Sequence, residues 1–144
     1  MNAQIIPPRW EHFEHAADIG IRGIAPALAQ AFEQAALAMT AVSCNPETVA
    51  ATQTVSITCQ AVDDELLLLD WINELIYEIA VHGLLFSRYH VTIQNGVLAA
   101  TADGEKIDLA KHQPAVEIKG ATFTELRVYQ RADDLWVAQC VVDV

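Results

Sequence analysis

The 144-residue sequence predicts an α+β fold: one domain, residues 1–144, with a largely antiparallel sheet and two main helices packed on it. Three observations predict it. Two stretches repeat apolar residues at helical spacing. Several short stretches alternate apolar and polar residues, or run apolar, over the length of a strand. Asn95-Gly96, between two such stretches, is the strongest short hairpin signal in the chain. No internal repeat, low-complexity tract or Pro/Gly/Ser-rich linker divides it.

In order, residues 10–15 and 19–24 read as extended segments, the second with Ile19, Ile21 and Ile24. Pro26 suits the first turn of a helix reaching about Val42, because its missing N–H costs nothing there. Leu28, Phe32, Ala35, Ala36 and Met39 form that helix's apolar stripe, and Asn45-Pro46 stops it. Residues 55–61 alternate as Val55, Ile57, Cys59 and Ala61 against Ser56, Thr58 and Gln60, the pattern of a half-buried strand. Asp63-Asp64-Glu65 opens a second helix, where carboxylates cap free N–H groups and oppose the helix dipole. Leu66, Leu69, Ile72, Leu75, Ile76 and Ile79 give it a core face, with Trp71 at the margin, and Gly83 ends it. Residues 89–94 and 97–102 form the hairpin, Asp103-Gly104 reads as a second turn, 116–119 and 122–130 as extended, and 135–144 as a last strand. Both faces of that last strand are mostly apolar, which predicts a central position.

Composition excludes several classes of function. With 53% hydrophobic residues the chain is not intrinsically disordered. Eight basic against 19 acidic residues give a net charge of −11, which repels phosphate backbones, so direct nucleic-acid binding is not expected. An acidic protein can still work beside nucleic acid by docking on a basic partner. Cys44, Cys59 and Cys140 are odd in number and lack metal-site spacing; they read as buried thiols of a reducing cytosol. The first residues, Met1 to Arg9, lack the basic and apolar regions of a signal peptide. Asp70, Glu74 and Glu78 interrupt the apolar stretch Leu66 to Val81, so it reads as a soluble helix rather than a membrane span.

No nucleophile elbow, phosphate-binding glycine loop, dinucleotide fingerprint, zinc-protease helix or EF-hand loop is present. Four features remain. Asp143 and the main-chain carboxylate of Val144 put two negative charges at the end of the last strand. They repel unless a cation or N–H donors offset them, and calcium or magnesium accepts such oxygen ligands. The bland alternative is a solvated strand end. Asp18, in His15-Ala16-Ala17-Asp18-Ile19-Gly20-Ile21, is placed either to point across a sheet end or merely to initiate a turn, and Gly20 permits close backbone approach or an unusual conformation. Asp70, Glu74 and Glu78 form an acidic helical stripe, for a basic protein partner or simply for water. Lys106, Lys111 and His112 suit a phosphate or an acidic side chain, against the default of a mixed-charge surface loop.

Taken together the pieces resemble the archease family over nearly the whole chain. His15-Ala16-Ala17-Asp18-Ile19-Gly20-Ile21 is similar to its H-T-A-D-[IV]-G-[IL] opening, and Ala31-Phe32-Glu33-Gln34-Ala35-Ala36-Leu37-Ala38-Met39 to its A-F-E-x-A-A helix. Leu68-Leu69-Asp70-Trp71-Ile72-Asn73-Glu74-Leu75-Ile76, Gly104-Glu105, Lys111-His112, Val116-Glu117-Ile118-Lys119-Gly120-Ala121-Thr122-Phe123 and Val141-Val142-Asp143-Val144 follow in the family's order. Ala16 stands where the family has Thr, Gly120 where it has Ala, and Thr124 where His is common.

The resemblance implies a non-catalytic, cytoplasmic accessory of an RtcB-type RNA-splicing ligase. That ligase joins a 2′,3′-cyclic phosphate end to a 5′-hydroxyl end with GTP and divalent metal. The accessory promotes guanylylation of the ligase and multiple turnover, in tRNA splicing or RNA repair. It also implies a divalent-metal site, with calcium the ion, on Asp18, Asp143 and Val144. The partner implied is the ligase, with neither a membrane nor stable nucleic-acid binding. A second reading is a metal-binding chaperone or modulator of an RNA-modifying enzyme such as a tRNA methyltransferase. A third, a metal-dependent hydrolase on the same carboxylates, lacks a paired base or nucleophile.

Overall fold

The computed structural model describes residues 6–144. The expectation of no signal peptide falls partly on residues 1–5, outside the described residues. Its elements are β1 (Arg9–His15), β2 (Asp18–Ala25), α1 (Leu28–Ser43), a 3-10 turn (Pro46–Thr48), β3 (Gln53–Gln60), α2 (Asp64–His82), β4 (Leu84–Gln94), β5 (Val97–Lys106), α3 (Leu109–His112), β6 (Gly120–Ala121), β7 (Arg127–Gln130) and β8 (Trp136–Asp143). The α+β expectation holds, with the strands divided between two antiparallel sheets. One has the order β1-β2-β8-β6, with β7 also pairing β8; the other has the order β3-β5-β4. The predicted central strand is β8, paired with β2 on one edge and with β6 and β7 on the other.

Local chemistry explains most boundaries. The Asp63 carboxylate accepts the Leu66 N–H at 2.8 Å and starts α2. Gly83, at φ 63°, ends it in the left-handed conformation open to glycine. Asn95 and Gly96 both have positive φ, 52° and 74°, as a two-residue hairpin turn matched to strand twist requires. Pro26 lies just before the Ala27 N-cap of α1 rather than inside its first turn. The residue before a proline avoids the helical region, and Ala25 accordingly closes β2.

Both helices contribute to one core that also takes Ile21, Cys140 and Val142 from the first sheet and Ile57 and Leu98 from the second. Phe32 and Met39 enter it from α1, and Leu68, Trp71 and Leu75 from α2. Trp71 is fully buried, not marginal; its indole N–H donates to the Phe32 carbonyl at 3.1 Å, so the ring joins the two helices. Asp103-Gly104 is not a turn but part of β5. A Cβ at Gly104 would lie 1.8 Å from the Leu85 carbonyl oxygen, so the glycine allows close strand approach beside a register shift between Phe86 and Arg88. Residues 113–119 carry no regular structure, and 122–130 holds a turn followed by β7 in place of one extended run. Cys44, Cys59 and Cys140 are buried free thiols, as expected, and burial pushes the Cys140 thiol up to about 12. No helix among the described residues is long and apolar enough to cross a membrane.

Candidate metal corner at the end of the five-stranded sheet

The site rests on strand register. Ile19 pairs with Val142, Ile21 with Cys140 and Gly23 with Ala138. One step beyond Ile19 and Val142, the same register sets Asp18 opposite Asp143. Ile19 and Val142 face the helices, so alternation sends both aspartates to the opposite face of the sheet. On their outer flanks, His15 pairs with Asp18 and Gly120 with Asp143. The corner is a four-strand row read as His15, Asp18, Asp143 and Gly120. Asp18 is half-buried and Asp143 exposed. The side chain of Val144 turns back onto the core, which anchors the main chain next to Asp143.

Several contacts hold this register. Phe13 lies over Gly20, where an added Cβ would be 2.3 Å from the ring. The glycine therefore makes room for a side chain, with an ordinary backbone conformation, rather than for another backbone. The Arg22 guanidinium stacks on Phe13 at 4.5 Å, donates to Gln139 Oε1 at 2.8 Å and to Glu11 Oε1 at 2.7 Å. The Arg22 hydrogen bond holds the Glu11 carboxyl below its ordinary range. This polar row bridges β1, β2 and β8 and opposes slippage, which would carry Asp18 to the other face. On the far side of β8, the Lys119 N–H donates to the Asp143 carbonyl at 2.8 Å. Asn73 Oδ1 on α2 accepts the Ala121 N–H at 2.9 Å and fastens β6 beside it. Glu65 Oε2 likewise accepts the Val128 N–H at 2.9 Å and holds β7.

Sequence reasoning missed Arg22, Gln139 and Asn73 as positioning residues. The signal available was polarity: Arg22 and Gln139 are polar residues within otherwise apolar strands.

Ion pairs among the described residues leave the corner alone: none involves Asp18, Asp143 or Val144. Nor do the described residues contain a group of three His, Cys, Asp or Glu side chains able to hold a metal. The corner offers two carboxylate side chains and main-chain oxygen at Val144. This donor set is all oxygen and suits a hard cation, but it supplies fewer than the six to eight ligands calcium takes. It would fit such an ion only as a partial cradle, the remaining ligands having to be supplied from outside these residues.

The basic cluster is committed elsewhere. The Lys106 ammonium donates to the His82 carbonyl at 2.7 Å. Glu105 Oε2 accepts from Lys111 Nζ at 2.7 Å, from the Ala50 N–H at 2.7 Å, and pairs with His112 Nε2 at 3.0 Å. The Asp108 N–H donates to His112 Nδ1 at 2.9 Å, so the buried imidazole is neutral and its Nε2–H donates to Glu105. Lys111 first, then the Ala50 N–H and His112, hold the Glu105 carboxyl at about 2. The acidic side chain that Lys111 and His112 bind is thus internal, and the cluster is a structural clamp rather than a phosphate site.

A family model described as the Archease protein family (MTH1598/TM1083) matches residues 10–144. The chain belongs to the archease family. The protein archease of Pyrococcus furiosus is 37% identical over 140 residues, covering 94% of this chain and 99% of that one. The protein archease of Methanosarcina barkeri is 34% identical over 141 residues, covering 94% and 96%. The solution structure of Methanobacterium thermoautotrophicum protein 1598 superposes with a TM-score of 0.77 at 33% identity, covering 94% of this chain and 98% of that one. As an archease, the chain has the motif aspartates of the resemblance on neighbouring strands of one sheet.

Proposed function

We propose that this archease is a non-catalytic activator of an RtcB-type RNA-splicing ligase in the cytoplasm. In this reading Asp18, Asp143 and main-chain oxygen of Val144 hold a divalent cation, calcium by family precedent, at the corner that meets the ligase. The observation that carries it is the register bringing Asp18 and Asp143, 125 positions apart, to one sheet end. Two carboxylates at one sheet end, neither of them in an ion pair among the described residues, form an all-oxygen donor set that suits a hard cation.

When bound, the cation offsets negative charge on nucleotide phosphates. The chain's own residues act as a cradle: the two aspartates supply oxygens, and the Arg22 row keeps their strands in step. The net charge of −11 steers the protein towards the basic surface a ligase needs for RNA. Among the described residues no side chain hydrogen-bonds to either aspartate, His15 on the neighbouring strand included, which disfavours hydrolysis by this chain. Product counted per ligase molecule, with GTP and RNA in excess, tests the reading. Many turnovers with this protein and about one without it are expected. Equal product with and without it overturns the activator role, and capture of a methyltransferase but no ligase favours the modulator reading instead.

A further inference from the structure

A groove of about 300 Å³ lies between α2 and residues 107–118, remote in sequence from the Asp18–Asp143 pair. Ile76, Ile79 and Ala80 form one wall, Ile107 and Val116 the other, with Leu85 also lining the cavity. Its second wall is braced: the Ala115 N–H donates to the Ser43 carbonyl at 2.7 Å, and the Glu105–His112 clamp fixes the short α3 beside it. A rigid aliphatic slot suits an apolar side chain and rejects a phosphate.

The apolar surface continues outside the slot. Leu109 is 73% exposed on one rim, while Tyr77 and Val81, at 54% and 57%, lie on the outer surface of α2. Helical spacing places Tyr77 and Val81 between the groove-lining Ala80 and the stripe Asp70, Glu74 and Glu78. The slot, the exposed apolar rim and the carboxylates thus follow one another across α2. Asp70 and Glu74 are exposed and make no ion pair among the described residues; Glu78 meets only His82, at 3.5 Å. Glu117 is the one charged residue lining the slot, and it too is acidic.

Charge selects the occupant. A second copy would bring another body of −11, and an anionic surface is repelled in the same way. We infer that the groove and the adjoining face of α2 are a docking surface for a basic amphipathic helix of a protein partner. An apolar side chain of that helix fills the slot, and its lysines or arginines lie over Asp70, Glu74 and Glu78. This is the helix-in-groove mode, with apolar anchors for affinity and charge for orientation.

The test uses the full-length chain, labelled with nitrogen-15, and a synthetic helical peptide of leucines at i, i+3, i+4 and i+7 with lysines elsewhere. Expected are saturable shift changes centred on Ile76, Ile79, Ala80, Ile107 and Val116. Affinity is expected to fall at least tenfold in Ala80→Arg and in the Asp70→Asn/Glu74→Gln/Glu78→Gln triple variant, both with unchanged melting temperatures. A control peptide with glutamates for lysines is expected not to bind. Equal binding of both peptides, shift changes centred on Asp18 and Asp143, unaltered affinity of folded variants, or no saturable binding each overturns the inference. No ligase enters this test, so its failure leaves the metal-corner reading standing.

Discussion

Gly23→Ala is the most direct probe of how tightly α1 is seated on the sheet that carries the corner. Gly23 faces the helix, and a Cβ there would stand 2.1 Å from the Ala31 carbonyl oxygen and 2.5 Å from the Ala35 nitrogen. Both are backbone atoms, so no rotamer change relieves the clash. The helix has to retreat by more than about 1 Å to restore ordinary contact, and it takes buried Phe32 and Ala35 with it. Overpacking costs about 1–3 kcal/mol, and a backbone-on-backbone clash belongs at the top of that range. With an unfolding entropy of about 2.1 cal/mol/K per residue, a loss of about 3 kcal/mol lowers the melting temperature of this chain by about 10 °C. Urea unfolding followed by far-UV circular dichroism measures it. Gly83→Ala is the control: φ is 63° and nothing lies within 4 Å, so only the left-handed backbone penalty of about 1 kcal/mol applies. A Gly23→Ala loss no larger than that of Gly83→Ala, at unchanged denaturant slope, would refute the reasoning.

Calcium at 100 times its dissociation constant is expected to stabilise the wild-type chain by about 2.7 kcal/mol, seen as a rise in melting temperature that EDTA reverses. The Asp18→Asn/Asp143→Asn variant is expected to fold and to show no such rise; an equal rise places the ion elsewhere. Acid stability follows from Glu105. Its carboxyl sits at about 2 in the folded chain against 4.5 ordinarily, so the unfolded chain takes up the proton first. The clamp's stabilisation is present above about pH 4.5, declines as pH falls, and is gone below about 2. Glu105→Gln is therefore expected to flatten the dependence of stability on pH in that window, and denaturant titrations from pH 5 to 2 that match wild type would contradict the assignment.

Elements written in local chemistry were legible in the sequence. Asp63 caps α2, Gly83 stops it and Asn95-Gly96 turns the hairpin through contacts within a few residues. Errors arose where a tertiary neighbour decides. Gly104 has the composition of a turn but serves the close approach of Leu85, and Trp71 sits at a helix margin only until the core closes around it. His112 and Lys111 read as open surface because their partner, Glu105, becomes available only when residues 105–112 fold back on themselves. The meeting of Asp18 with Asp143 depends on pairing between the second strand and the last, a non-local contact that no periodicity encodes. Taken alone, Asp18 reads first as a turn residue and Asp143 as a wet strand end, and only the family resemblance joins them.

Formation of the covalent ligase–GMP adduct, timed with purified ligase, GTP and either form of this protein, tests the account at its centre. Acceleration by the wild-type chain and none by the folded Asp18→Asn/Asp143→Asn variant are expected. Full acceleration by that variant would contradict the account.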